Sequence, residues 1–157
     1  MQKKLYLAGP LFNAGERFHN LLLAQELRKL GHKVILPQVE AATCLKKGEF
    51  DLHSHVHECL RASMDENNIL VACIDGSDAD SGTCVEFGAA IATNGIAVMY
   101  RTDFRTSVKK EIGVNGMLTH LSERFIYKPC FATTLKERGI FYRELAQEIH
   151  EEVVSLV

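Results

Sequence analysis

Apolar and polar positions along this chain alternate between the strand period and the helix period, and the order of those blocks predicts the architecture. Lys4 to Gly9 is a short β-type run that ends in Gly9-Pro10, and Ala14 to Leu30 follows with Phe18, Leu22, Leu23, Leu27 and Leu30 at helical spacing. Gly31 stands where a helix stop is expected, and Lys33 to Pro37 is a second β-type run closed by proline. Gln38 to Phe50 has no clean period and contains Gly48, which predicts a loop, and a polar helix is expected from about Asp51 to Glu66. Ile69 to Asp75 is an apolar run of the kind found in strands covered on both faces. Turn residues and acids fill Gly76 to Thr83, a small-residue helix is predicted over Val85 to Gly95, and a fourth strand over Ile96 to Arg101. Thr102 to Asn115 reads as a polar loop and Arg124 to Lys128 as a fifth strand. Thr134 and Glu137 form a capping box ahead of a last helix with Phe141, Leu145, Ile149, Val153 and Leu156 on one stripe.

Five strands alternating with helices predict an α/β fold: one open five-stranded parallel sheet with helices on both faces, in the flavodoxin-like order 2-1-3-4-5. A length of 157 residues suits a single domain over 1–157, so core and site must share it. In such a sheet ligands bind outside the carboxyl ends of the strands, where the strand order reverses, between strands 1 and 3. The loops to examine are therefore Ala8 to Asn13 and Asp75 to Thr83.

Composition narrows the partners. Eighteen Lys and Arg against twenty Asp and Glu, a net charge of -2 and no basic cluster argue against nucleic acid. The amino-terminal apolar run is interrupted at Gly9 and Pro10, too soon for a signal peptide or a membrane span, so no membrane partner and a cytoplasmic location are expected. Five cysteines, an odd number without a C-x-x-C pair, suggest reduced and mostly buried thiols rather than disulfides or structural zinc.

Asp75, Asp78, Asp80 and Glu86 concentrate carboxylates on or just beyond the loop after strand 3. The bland account is that Thr83-x-x-Glu86 is a capping box and the aspartates solvate a turn. The functional account needs two carboxyl groups, one attacking an anomeric carbon and one handling the leaving group's proton, and Asp80 and Glu86 fit those roles. Glu86 is expected in the first helical turn, where the dipole favours the ionised form that a nucleophile needs. Gly82 would let backbone approach a ligand, and Gly88, Ala89 and Ala90 keep the helix slim. The first loop lacks both G-x-G-x-x-G and the P-loop pattern, and Tyr6 and Phe12 offer aromatic walls there instead. His53, His55 and His57 alternate; His53 and His57 have metal-ligand spacing on a helix, but a solvated face is the stronger account, and no metal or cofactor is expected. Arg101, Asp103 and Arg105 read as a surface loop with internal ion pairs.

LYLAGPLF, LPQ and DADSGTCVEFGAA together resemble the nucleoside 2-deoxyribosyltransferase family, over about residues 5 to 118, through a Y-x-x-G-x-x-F opening that includes Gly9, a D-x-G-x-x-x-E element and a later N-x-M. The resemblance implies a salvage enzyme that exchanges a free purine or pyrimidine base on a 2'-deoxyribonucleoside, with Glu86 as nucleophile and Asp80 assisting proton transfer or holding the base. It implies that Tyr6 orients Glu86, that Phe12 and Gln38 contact the base or shape its pocket, and that Gly9, Asp75 and Gly82 belong to the substrate-binding loops. It implies that Asn115 and Met117 serve a neighbouring subunit's site, hence a homo-oligomer. Cys59 stands near where the family often carries an aspartate, and the chain runs on through a long amphipathic last helix, a departure from members that place a terminal carboxylate in a neighbour's site. An N-glycosidase using the same glutamate is the nearest rival. A non-catalytic nucleotide-binding or receiver-type module is the other, although a receiver would need acids where this chain has Ala8-Gly9-Pro10.

Overall fold

The computed structural model describes residues 3–48, 50–105 and 113–157. Its elements are β1 (Lys4–Ala8), α1 (Ala14–Lys29), β2 (Val34–Ile35), α2 (Pro37–Lys47), α3 (Leu52–Met64), β3 (Asn68–Cys73), α4 (Ser81–Ala92), β4 (Ile96–Arg101), α5 (Gly116–His120), β5 (Arg124–Tyr127) and α6 (Leu135–Ser155). The five strands form one sheet in the order β2-β1-β3-β4-β5, and every pairing is parallel. That is the predicted order, and it leaves the crevice between β1 and β3, paired from Lys4↔Asn68 to Ala8↔Ala72.

The period-2 alternation divides the core. Leu5, Leu7, Ile69, Val71, Val98 and Tyr100 face α1 and α6, where Leu23, Leu27, Leu145 and Ile149 meet them. Tyr6, Ala8, Leu70, Ala72, Ile74 and Met99 face the other way, toward Phe87 and Ala90 of α4 and the half-buried Cys59 and Ala62 of α3. All six residues of β3 are buried, as the apolar run requires. Each large aliphatic removed from water contributes about 1.5–3 kcal/mol, so two such layers give the sheet a rigid frame for its loops.

Three expectations are corrected. Gln38 to Phe50 is largely helical: α2 carries Pro37 in its first turn and ends at Gly48 in the left-handed region, φ 70°. Its period was invisible because it buries only Pro37, Gln38 and Ala41, so its ends rather than its face marked it. On α1 the buried stripe is Asn20, Leu23, Ala24 and Leu27, while Phe18 is 64% exposed, because the stripe is set by what α6 and the sheet cover. Only Cys73 is fully buried; the other four free thiols are half-buried. Residues 106–112 of the predicted polar loop lie outside the described residues, and a short helix, α5, follows it. No helix among the described residues is long and apolar enough to cross a membrane.

The carboxyl ends of β3 and β4 are tied together. Asp75 accepts from the backbone N–H groups of Thr102 (2.6 Å) and Asp103 (2.9 Å) and from the Thr102 hydroxyl. Arg101 is not a surface residue as predicted; it is 3% exposed and donates to the carbonyls of Ile74 (2.6 Å) and Gly76 (3.0 Å), while Asp103 pairs with Arg105. Gly76 turns the chain here at φ 111°, where a Cβ would stand 2.8 Å from the Asp78 carbonyl oxygen. The acidic loop is thereby launched from a fixed point.

Candidate active site

Helix α4 starts earlier than the apolar pattern suggests. Asp80 is its N-cap: the carboxylate accepts from Thr83 N–H at 2.8 Å and from the Thr83 hydroxyl at 3.0 Å. The helix therefore begins at Ser81, and Glu86 lies in its second turn, so neither a Thr83–Glu86 capping box nor a first-turn Glu86 is found. The expectation that the helix dipole ionises Glu86 is corrected accordingly, since that effect fades beyond the first turn.

A different group addresses Glu86. Tyr6, on the β1 face toward α3 and α4, donates its hydroxyl proton to Glu86 Oε1 at 2.6 Å, across eighty residues of sequence. Burial raises the Glu86 pKa; the Tyr6 bond opposes that rise and the nearby Asp80 charge adds to it. Tyr6, 1% exposed, has its own pKa pushed far above the ordinary value, first by burial and then by the Glu86 carboxylate, so it remains a donor. The result is a desolvated carboxyl group steadied by one strong hydrogen bond at the crevice between β1 and β3.

Residues predicted for substrate contact divide. Gly9 packs against β3, where a Cβ would stand 3.1 Å from Cys73 Cβ, so it lets the β1–α1 loop lie flat on the sheet edge. Phe12 is 78% exposed on that loop, which Glu16 holds by accepting from Phe12 N–H at 2.7 Å. Gln38 is buried behind the loop: its amide donates to the Arg17 carbonyl and accepts from Asn20, which also donates to the Pro10 carbonyl. Gln38 therefore braces the loop's shape from inside. Asp75 has both oxygens engaged with Thr102 and Asp103, and the space beside Gly82 is occupied by Asp80 Oδ2, 3.1 Å from where a Cβ would be. Asn115 caps α5 by accepting from Met117 N–H at 2.9 Å.

Asn115 and Met117 do not meet Glu86 within the chain. With Phe87, Gly88, Ile91 and Leu118 they line a cleft of about 550 Å³ that Tyr6 and Glu86 do not border. The α4 residues on that cleft recur as 84, 87, 88, 91 and 92, which puts Glu86 on the opposite flank of the helix.

One neighbour of Glu86 was legible only as a departure. Cys59 of α3 packs against the layer that contains Tyr6, and its thiol is shifted upward by burial first; the Tyr6 hydroxyl opposes that rise and the Glu86, Glu40 and Glu58 charges add to it. One turn earlier His55 places Nε2 3.7 Å from Cys59 Sγ. The i, i+4 spacing of His55 and Cys59 was the available signal. His53 and His57 stack edge to face with centroids 4.4 Å apart on exposed helix surface, and no group of three or more metal-ligating side chains occurs among the described residues.

Several solved structures share this fold. A conserved protein from Enterococcus faecalis V583 superposes with a TM-score of 0.72 at 21% identity, covering 100% of both chains. A 2-deoxyribosyltransferase from Leishmania mexicana superposes at 0.56 with 18% identity, covering 90% of this chain and 97% of that one. The enzyme of the same kind from the psychrotolerant bacterium Bacillus psychrosaccharolyticus gives 0.51 at 22%, covering 78% and 84%. No curated protein sequence matches the chain significantly. The model of the family described as nucleoside 2-deoxyribosyltransferase matches residues 5–150, almost the whole chain and every element of the crevice. The chain that carries the Tyr6–Glu86 pair at its sheet switch point thus belongs to the nucleoside 2-deoxyribosyltransferase family.

Proposed function

We propose that the protein exchanges the base of 2'-deoxyribonucleosides by two displacements at C1′, with the sugar held on Glu86 between them. The observation that carries this reading is the half-buried 2.6 Å Tyr6–Glu86 pair at the crevice, a carboxyl group positioned and only partly solvated. In the first step a Glu86 oxygen bonds to C1′ as the C1′–N bond breaks, the electron pair leaving with the base. In the second a new base attacks C1′ and the ester bond breaks, which restores the β configuration. Asp80 holds the base and assists its proton transfer, and Phe12 walls the pocket, with Gln38 bracing it. Tyr6 crowds the space that a 2′-hydroxyl would need, so deoxyribose is preferred.

The separation of Asn115 and Met117 from Glu86 supports a homo-oligomer in which they complete a second copy's site. The enzyme acts in nucleotide salvage in the cytoplasm on free nucleosides and bases, without nucleic acid or membrane. Incubation with 2'-deoxyadenosine, with and without cytosine, on material fractionated by size tests this: 2'-deoxycytidine should form faster than deoxyribose, in the oligomer fraction, and adenosine should be a poor donor. Hydrolysis outrunning exchange at saturating cytosine would replace transfer by an N-glycosidase. Binding without turnover would leave a nucleotide-binding module.

Tyr6→Phe should move the acidic limb of the kcat/KM profile to higher pH. The Tyr6 bond lowers the Glu86 pKa, so its loss raises that pKa further above the ordinary 4.5 and reduces the ionised fraction at any acidic pH. A pH–rate profile of the variant with an unmoved acidic limb would detach Tyr6 from the ionisation of Glu86.

A further inference from the structure

Phe12 is 78% exposed, so packing of its ring does not fix where it stands, and its place depends on the backbone that carries it. That backbone is held by one face of α1, through Glu16, Arg17 and Asn20. Glu16 accepts from the N–H groups of Phe12 (2.7 Å) and Asn13 (3.1 Å), Arg17 donates to the Leu11 carbonyl at 3.3 Å, and the buried Asn20 donates to the Pro10 carbonyl at 2.9 Å. The same two donors reach the start of α2: Asn20 donates to Gln38 Oε1 at 3.1 Å and Arg17 to the Gln38 carbonyl at 3.5 Å, while the Gln38 amide donates to the Arg17 carbonyl at 2.9 Å. Behind the loop lies a cavity of about 190 Å³ lined by Pro10, His19, Asn20 and Cys73, so the loop rests on little apolar packing there. Hydrogen bonds from α1 hold it instead.

Resting on the reading of Phe12 as a wall of the base pocket, we propose that Asn20 and Arg17 are positioning residues that fix that wall before a base arrives. Neither touches the base in this role; each acts through a carbonyl of the β1–α1 loop. A loop ordered in advance has less freedom to lose on binding, so the clasp strengthens base binding and leaves the bond that forms at Glu86 alone. The arrangement is directional. Asn20 turns Nδ2 toward both the Pro10 carbonyl and Gln38 Oε1, which a side chain without two N–H donors on one nitrogen cannot reproduce. Through that nitrogen the loop and the first turn of α2 are held as one unit against α1.

The test reads where the loss falls. With 2'-deoxyadenosine as donor, Asn20→Ala and Arg17→Met should each raise KM for cytosine about tenfold and change kcat by no more than about threefold, because ordering the loop is a cost of binding. Arg17 is half-buried, so its variant leaves the core intact if Asn20→Ala folds poorly. In a Phe12→Leu background the same changes should add little, the signature of residues that act through one side chain. The backbone amides of Phe12 and Asn13, bonded to Glu16 rather than to either substituted residue, should exchange with solvent about tenfold faster in Asn20→Ala. A fall in kcat at unchanged KM, equal KM effects with and without Phe12, or unchanged amide exchange would overturn the clasp. Wild-type protein that exchanges no base would overturn the transferase reading; adenine titrated into wild-type and Asn20→Ala protein would still judge the clasp, and equal Kd values or no binding would overturn it.

Discussion

Glu86→Ala should abolish base exchange, with a loss on the order of 10⁴-fold or more, while the fold survives. Truncating the nucleophile removes the covalent route altogether, so what remains is the contribution of binding alone. Two effects on stability oppose each other: the substitution removes a carboxyl group whose ionised form is disfavoured by burial, and it takes away the acceptor of the Tyr6 hydroxyl. Glu86→Gln separates the two effects, because the amide oxygen still accepts the Tyr6 proton and avoids leaving that buried hydroxyl unpaired, a penalty of about 1–3 kcal/mol. Both variants should lose activity, and Glu86→Gln should melt at or above the wild-type temperature. With the acceptor base withheld, intact-protein mass spectrometry of wild-type protein should find an adduct of 2-deoxyribosyl mass, mapped by digestion to the peptide that contains Glu86. Near-normal exchange in Glu86→Ala, or an adduct elsewhere, would reassign the nucleophile.

Asp80→Asn should lower exchange on the order of 10²–10⁴-fold without destabilising the protein. Asp80 has two jobs in this reading, base handling and helix capping, and the substitution divides them. Asparagine caps helices as well as aspartate does, so its side-chain oxygen can keep the Thr83 N–H bond, whereas Asp80→Ala should lose about 1 kcal/mol in addition to rate. The Asp80 charge also raises the Glu86 pKa, so its removal should shift the acidic limb to lower pH, opposite to Tyr6→Phe. Thermal melts beside kcat/KM for bases of different leaving ability check this. If Asp80→Asn exchanged bases at the wild-type rate, Asp80 would be a helix cap and nothing more.

The chain's own pattern was sufficient for much of this. The apolar runs from Leu5 to Ala8 and from Ile69 to Ile74 encode strands buried on both faces, hence a parallel sheet, for which the order 2-1-3-4-5 and its crevice were the simplest arrangement. The acidic loop and the small-residue helix were likewise legible, because turn residues and slim helix faces are local properties. Pattern failed where a helix buries little, as α2 does, or where a polar residue is buried by distant partners, as Arg101 is by the carbonyls of Ile74 and Gly76. The ionisation of Glu86 belongs to the second kind. Sequence pointed to a helix dipole; tertiary structure replaced it with desolvation and a phenol eighty residues away. Periodicity states that a side chain faces inward and is silent about what it meets there. The packing of Cys59 against the Tyr6 layer, and the placing of Asn115 and Met117 across α4 from Glu86, were decided only when the sheet brought separate elements together.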